Sequence, residues 1–152
     1  MDPELTLTGV QQARDLKLAF PAHEQIEVIF SSPLQRALQT ALLAFGETTA
    51  NDKAVIALPL AQETSHALCD TGRDVAALRE LLPESNIDYQ YVGLDWNSKR
   101  ERWSQKDAAV EARAVDLRDY LASRPELEVV LVTHGYFLHF LTEVRVMACL
   151  LD

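Results

Sequence analysis

The chain has 152 residues, 48% hydrophobic and 24% charged, enough for one domain spanning 1–152 with a real core. A formal net charge of −9 argues against a nucleic-acid partner but leaves room for a local basic pocket that holds a small phosphate ester. No apolar run reaches the roughly 18 residues of a membrane span. The start, MDPELTLTG, has no secretory leader pattern, and the two distant cysteines, Cys69 and Cys149, fit a reducing, cytoplasmic setting.

The first element is a helix. Thr8 with Gln11 three residues on makes a capping box, and Val10, Ala13, Leu16 and Phe20 fall on one face. IEVIFSS (26–32) is a β-branched and aromatic run, hence a strand. Pro33 suits the first turn of the next helix, LQRALQTALLAF, which stops at Gly46. AVIALPL (54–60) reads as a second buried strand, and 61–73 as irregular. DVAALRELL is a helix ended by Pro83, and IDYQYV (87–92) is extended or irregular. GLDWNSKRERWS is a polar loop with two tryptophans, Trp96 and Trp103, that read as packing groups. KDAAVEARAVDLRDYLASR is a long amphipathic helix, EVVLVT (128–133) a strand, and GYFLHFLTEV (135–144) the helix after it. Alternating helices and apolar strands predict an α/β fold, a three-layer α/β/α sandwich with a mostly parallel sheet.

Ligands of such sheets bind beyond the carboxyl ends of the strands. Three groups fall there: Arg36 after Ser31-Ser32-Pro33, Glu63 after strand 54–60, and His134 after strand 128–133. A fixed cation, a carboxylic acid and a histidine, with helix N-termini beside two of them, suit phosphate-ester chemistry. Each also has a plainer reading. Arg36 fits a surface ion pair, Glu63 a solvated loop carboxylate, and His134 a satisfied core histidine. His66, three residues past Glu63, is the only spare histidine near the proposed pocket, and His139 reads as core or helix surface. Nothing calls for a metal or a cofactor.

Four stretches in order resemble the histidine phosphatase superfamily, the phosphoglycerate mutase-like fold, from Asp2 to about Glu143. They are DPELTLTGVQQA, SSPLQRALQTA, the Gln62-Glu63 pair and VTHGYFLHFL, while CDTGRD and GLDW resemble its intracellular, fungal-type branch. The resemblance implies phosphomonoester hydrolysis or phosphoryl transfer on a small phosphorylated substrate. Arg36 would be the phosphate clamp, Glu63 the proton donor and His134 the phosphate-stabilising histidine, which would bind more strongly as it protonates. The family's Arg-His-Gly motif, which carries the nucleophilic histidine after a first central strand, has no counterpart, and no Arg-His dipeptide occurs in the chain. The end, VRVMACLLD, also departs from the family. The chain thus reads as a member shortened at both ends. A second function class follows: a catalytically inactive relative that binds inorganic phosphate, another anion or a protein partner. Without the first strand, the strands either close up on one another or take a strand from another chain, giving a homo-oligomer through exposed edges.

Overall fold

The computed structural model describes residues 2–46 and 54–142. Helix α1 spans Leu7–Ala19. Its cap is Thr6, not Thr8: Thr6 is extended, and its Oγ1 accepts from the Gly9 amide at 3.1 Å. Thr8 lies inside the first turn, and Gln11 instead reaches forward one turn to Asp15. Strand β1 covers Val28–Ser31, shorter than 26–32 because Ile26 closes a 3₁₀ turn at His23–Gln25. Helix α2, Gln35–Ala41, runs into a π turn that ends at Gly46. Pro33 precedes its cap residue, Leu34, rather than opening its first turn.

Strand β2 is only Val55–Ala57, because Pro59 opens a 3₁₀ turn over Pro59–Ala61. Helix α3 follows at Val75–Leu81, capped by Asp74, whose carboxylate accepts from the Ala77 amide at 2.8 Å. Ile87–Asp88 form a short strand, β3, where sequence left extended and irregular backbone as alternatives. Helix α4 spans Asp107–Ala122, strand β4 Val129–Val132 and helix α5 Gly135–Thr142. The last two residues of the expected 135–144 helix lie outside the described residues, as do Cys149 and the divergent end.

The four strands form one parallel sheet in the order β3-β2-β1-β4. The strands expected at 26–31, 54–60 and 128–133 therefore share a sheet. β1 and β4 pair directly, Val28 opposite Val129 through Ser31 opposite Val132, so of the two expected arrangements these strands have closed up. Among the described residues β4 is an edge strand, half-buried along its length.

Alternation along the strands supplies both apolar faces. Ile29, Val55, Ala57, Val130 and Val132 meet Leu34, Leu38 and Leu78 on one side, together with Trp96. Val28, Phe30, Ile56, Val129 and Leu131 meet Val110, Ala114, Leu117 and Phe137 on the other. Helices α2 and α3 thus cover one face and α4 and α5 the other, completing the three layers. Each large apolar side chain buried in this way contributes about 1.5–3 kcal/mol. Among the described residues no helix is long and apolar enough to cross a membrane.

Candidate functional site

Three strand ends are tied together at the carboxyl end of the sheet. Thr133 Oγ1 donates to the Ala61 carbonyl at 2.8 Å, joining the end of β4 to the turn after β2. The Ser32 amide donates to the Val132 carbonyl at 2.9 Å, continuing the β1–β4 ladder by one bond. Arg36, Glu63 and His134 all sit just beyond these bonds.

Arg36 and His134, 98 residues apart in sequence, meet with Nη2 3.3 Å from Nδ1. An arginine only donates, so Nδ1 must accept, and the ring's proton lies on Nε2. Nε2 accordingly donates to Ser32 Oγ at 2.8 Å. Burial, and then the Arg36 charge, push the His134 pKa down to about 3, with Asp70 opposing. His134 is therefore neutral in the ordinary pH range. Any strengthening of anion binding by protonation of His134 is thereby moved to acid pH: its donor is used on Ser32 and its lone pair faces Arg36.

The guanidinium of Arg36 already holds an anion from its own chain. Nη2 donates to Asp70 Oδ1 at 2.8 Å, and Nη1 to the Cys69 carbonyl at 2.6 Å. Asp70 Oδ2 accepts from Ser65 Oγ at 2.6 Å. Burial works against the Asp70 charge, but Ser65, Arg36 and Lys99 outweigh it and hold the carboxyl below its ordinary value. The N-terminus of α2 is occupied too, since the Gln35 amide donates to the buried carboxylate of Asp2 at 2.9 Å. The helix dipole expected to serve a ligand there serves Asp2.

Glu63 joins this group through neighbours rather than by direct contact. Its Oε1 accepts from the Thr64 amide at 2.8 Å, and its carbonyl accepts from Lys99 Nζ at 2.8 Å. The preceding carbonyl, of Gln62, accepts from Arg113 Nη1 at 2.7 Å. Two cations thus hold successive carbonyls of the loop that carries Glu63. Arg113 is 1% exposed, lies 4.4 Å over the Phe137 ring, and has Nε and Nη2 buried without a hydrogen-bond partner among the described residues. Burial lowers its pKa to about 10, opposed by Glu63.

Sequence reasoning missed Asp70, Lys99 and Arg113. A signal for Arg113 was present, because Val110, Arg113, Ala114 and Leu117 are the buried stripe of α4, with a cation at a core position. His66 is exposed and its Nδ1 pairs with Gln105, while His139 is exposed on α5. Trp96 is fully buried, and Trp103 lies under Arg102 at 4.9 Å, so both serve packing contacts.

A parallel α/β sandwich with arginine, lysine and histidine gathered at its strand ends defines the class of protein. The histidine phosphatase superfamily (branch 1) matches residues 1–146, and the chain belongs to that family. A phosphoglycerate mutase-like protein of Arabidopsis thaliana is 29% identical over 91% of this chain and 61% of its own length. Phosphoglycerate mutase-like protein 1 of the same plant is 27% identical over 90% of this chain and 58% of its own length. The chain therefore spans less than two thirds of these relatives. Among solved structures, phosphoserine phosphatase from Entamoeba histolytica, in complex with 3-phosphoglyceric acid, aligns with a TM-score of 0.54 at 23% identity. That alignment covers 92% of this chain and 66% of the other, and shows a shared fold.

Proposed function

We propose that this chain binds the phosphate group of a small phosphorylated compound at Arg36 and His134, with Glu63 as proton donor for the phosphoryl chemistry of its family. The observation that carries this reading is the Arg36–His134 contact at 3.3 Å, built from the ends of β1 and β4. The complex of the Entamoeba phosphatase with 3-phosphoglyceric acid supports a phosphorylated carboxylic acid as one candidate ligand. Arg36 supplies the charge, through the guanidinium face now paired with the Asp70 carboxylate, which an oxyanion would displace. His134 supplies direction: its neutral ring, fixed by Ser32, holds Nη2 in place. Glu63, on a loop held at two carbonyls, would give its proton to the departing oxygen while water attacks phosphorus and carries the phosphoryl group away as inorganic phosphate.

A second reading, binding without turnover in this chain, is favoured by the state of His134. Both ring nitrogens are engaged, and its low proton affinity makes it a poor proton carrier near neutral pH. On that reading Arg36 and His134 form an anion receptor. One pair of measurements separates the two. Inorganic phosphate is titrated by calorimetry into wild type, Arg36→Ala and His134→Ala, and an activated aryl phosphate is offered to wild type and Glu63→Gln. Binding lost in Arg36→Ala, with turnover lost in Glu63→Gln, supports catalysis. Binding with no turnover supports the receptor, and binding unchanged in both pocket variants refutes both readings.

A further inference from the structure

The cations of the site are not equally available to a ligand. Nη2 of Arg36 directs its two hydrogens to Asp70 and His134, and both bidentate faces of the guanidinium include Nη2. Arg113 is fully buried behind the Gln62 carbonyl. His134 is neutral, with both nitrogens engaged. Lys99 differs. It is half-buried rather than enclosed, and the Glu63 carbonyl takes one of its three ammonium hydrogens. Among the described residues that carbonyl is its one hydrogen-bond partner.

The backbone at Lys99 supports a specific placement. Its φ is 56°, in the left-handed region that lysine rarely adopts, and Glu101 two residues on has φ 51°. Such a conformation costs of order 1 kcal/mol or more and persists where the surrounding structure fixes it. Trp96, buried under the same loop, anchors it by donating from Nε1 to the Arg73 carbonyl at 3.1 Å. Asn97 adds a bond to the Gly72 carbonyl at 2.8 Å. This loop sets Lys99 against the residue expected to carry the proton.

We propose that Lys99 is a further binding residue of this site, donating its remaining ammonium hydrogens to a bound oxyanion beside Arg36 and Glu63. The inference rests on the phosphate-binding reading above and adds to it a residue and a coupling. The charged groups around Lys99 are Arg36 from α2, Glu63 and Asp70 from the segment after β2, and Arg113 from α4. Burial first, and then Arg113, lower its pKa to about 8, with Asp70 and Glu63 opposing and Arg36 reinforcing. An oxyanion seated against the ammonium raises that value again, so binding near pH 8 draws in a proton. Below about pH 7 the lysine is already charged and the uptake disappears.

Sulfate is the probe, because it does not titrate in this range. Calorimetry in two buffers of different ionisation enthalpy, at pH 8 and pH 6.5, measures affinity and proton uptake together. Wild type is expected to take up about half a proton per sulfate at pH 8, where a group of pKa about 8 is half protonated, and close to none at pH 6.5. Lys99→Met should lose the uptake and about tenfold in affinity at pH 6.5. Lys99→Arg, always charged, should keep the affinity and lose the uptake, which a merely structural lysine would not do. If Lys99→Met binds sulfate as wild type does, with the same uptake, while Arg36→Ala does not bind, the phosphate reading survives and Lys99 is excluded. If Arg36→Ala binds normally and Lys99→Met does not, the lysine site stands and the Arg36 reading falls. No binding by wild type at millimolar sulfate overturns both.

Discussion

Replacing Asp70 by asparagine should strengthen oxyanion binding and weaken the fold at the same time. The wild-type carboxylate sits 2.8 Å from Arg36 Nη2, with the two side chains 16% and 25% exposed, so it occupies the cation that a phosphate needs. A unit negative charge about 5 Å from an incoming anion costs roughly 3 kcal/mol at an effective dielectric of about 20. Solvent screening at a partly open site reduces this to about 1–2 kcal/mol. Asp70→Asn should therefore bind phosphate or sulfate roughly 5–30-fold more tightly, at about 1.4 kcal/mol per factor of ten. Asparagine keeps nearly the same shape and can still pair with Ser65. The fold loses a charge-assisted bond, a cost of about 1 kcal/mol at neutral pH. Because the carboxyl is held below 3.8, its contribution to stability is complete above that value and is lost as pH falls through the lower folded-state value. The stability gap between wild type and variant should accordingly close in acid. Calorimetric titration at pH 7 and urea denaturation at pH 7 and pH 3 are the assays. Equal or weaker anion binding by Asp70→Asn would show that Asp70 does not compete for Arg36.

The His134 ring resonances should show no titration between pH 5 and 8, since its pKa is pushed down to about 3, and a midpoint near 6.5 by NMR would refute the buried neutral tautomer. Arg113→Ala leaves the Gln62 carbonyl unpaired and opens space under Phe137, so urea denaturation should register a loss of about 2–4 kcal/mol. Arg113→Met, which keeps the packing, should cost less than half of that, and equal losses would assign the effect to the loop carbonyl rather than to volume. At Gly72 an added Cβ would stand 2.1 Å from Trp96 Cη2, so Gly72→Ala should displace the indole, red-shift its fluorescence and destabilise by about 1–3 kcal/mol. Unchanged emission and stability would mean that the Trp96 loop is not seated on Gly72.

Much of the fold was legible because it depends on local periodicity. The apolar runs ending at Ser31 and Val132, and the helices between them, follow from alternation and capping within a few residues. Errors fell where two local signals competed. Thr6 and Thr8 are both capping residue types at the start of the helix, and only the extended backbone at Thr6 makes it the cap. Pro59 shortens β2 because it removes a ladder donor, which the apolar run alone conceals. The site was legible only at strand ends, where Arg36, Glu63 and His134 are placed by the sheet itself. Asp70 and Lys99 come from irregular segments, and their roles depend on approaches across 34 and 36 residues that no local pattern encodes. The neutral state of His134 was hidden for the same reason, since it depends on burial and on Arg36 at a distance of 98 residues in sequence.

The most direct measurement is a crystal structure of the chain soaked in tungstate, an electron-dense tetrahedral mimic of phosphate. The anion should stand within hydrogen-bond distance of Arg36 Nη2, in the place now held by Asp70 Oδ1, with the Asp70 carboxylate turned away and the His134 Nε2 bond to Ser32 retained. Tungstate bound elsewhere, with Asp70 still 2.8 Å from Arg36, would contradict a phosphate site at this pair.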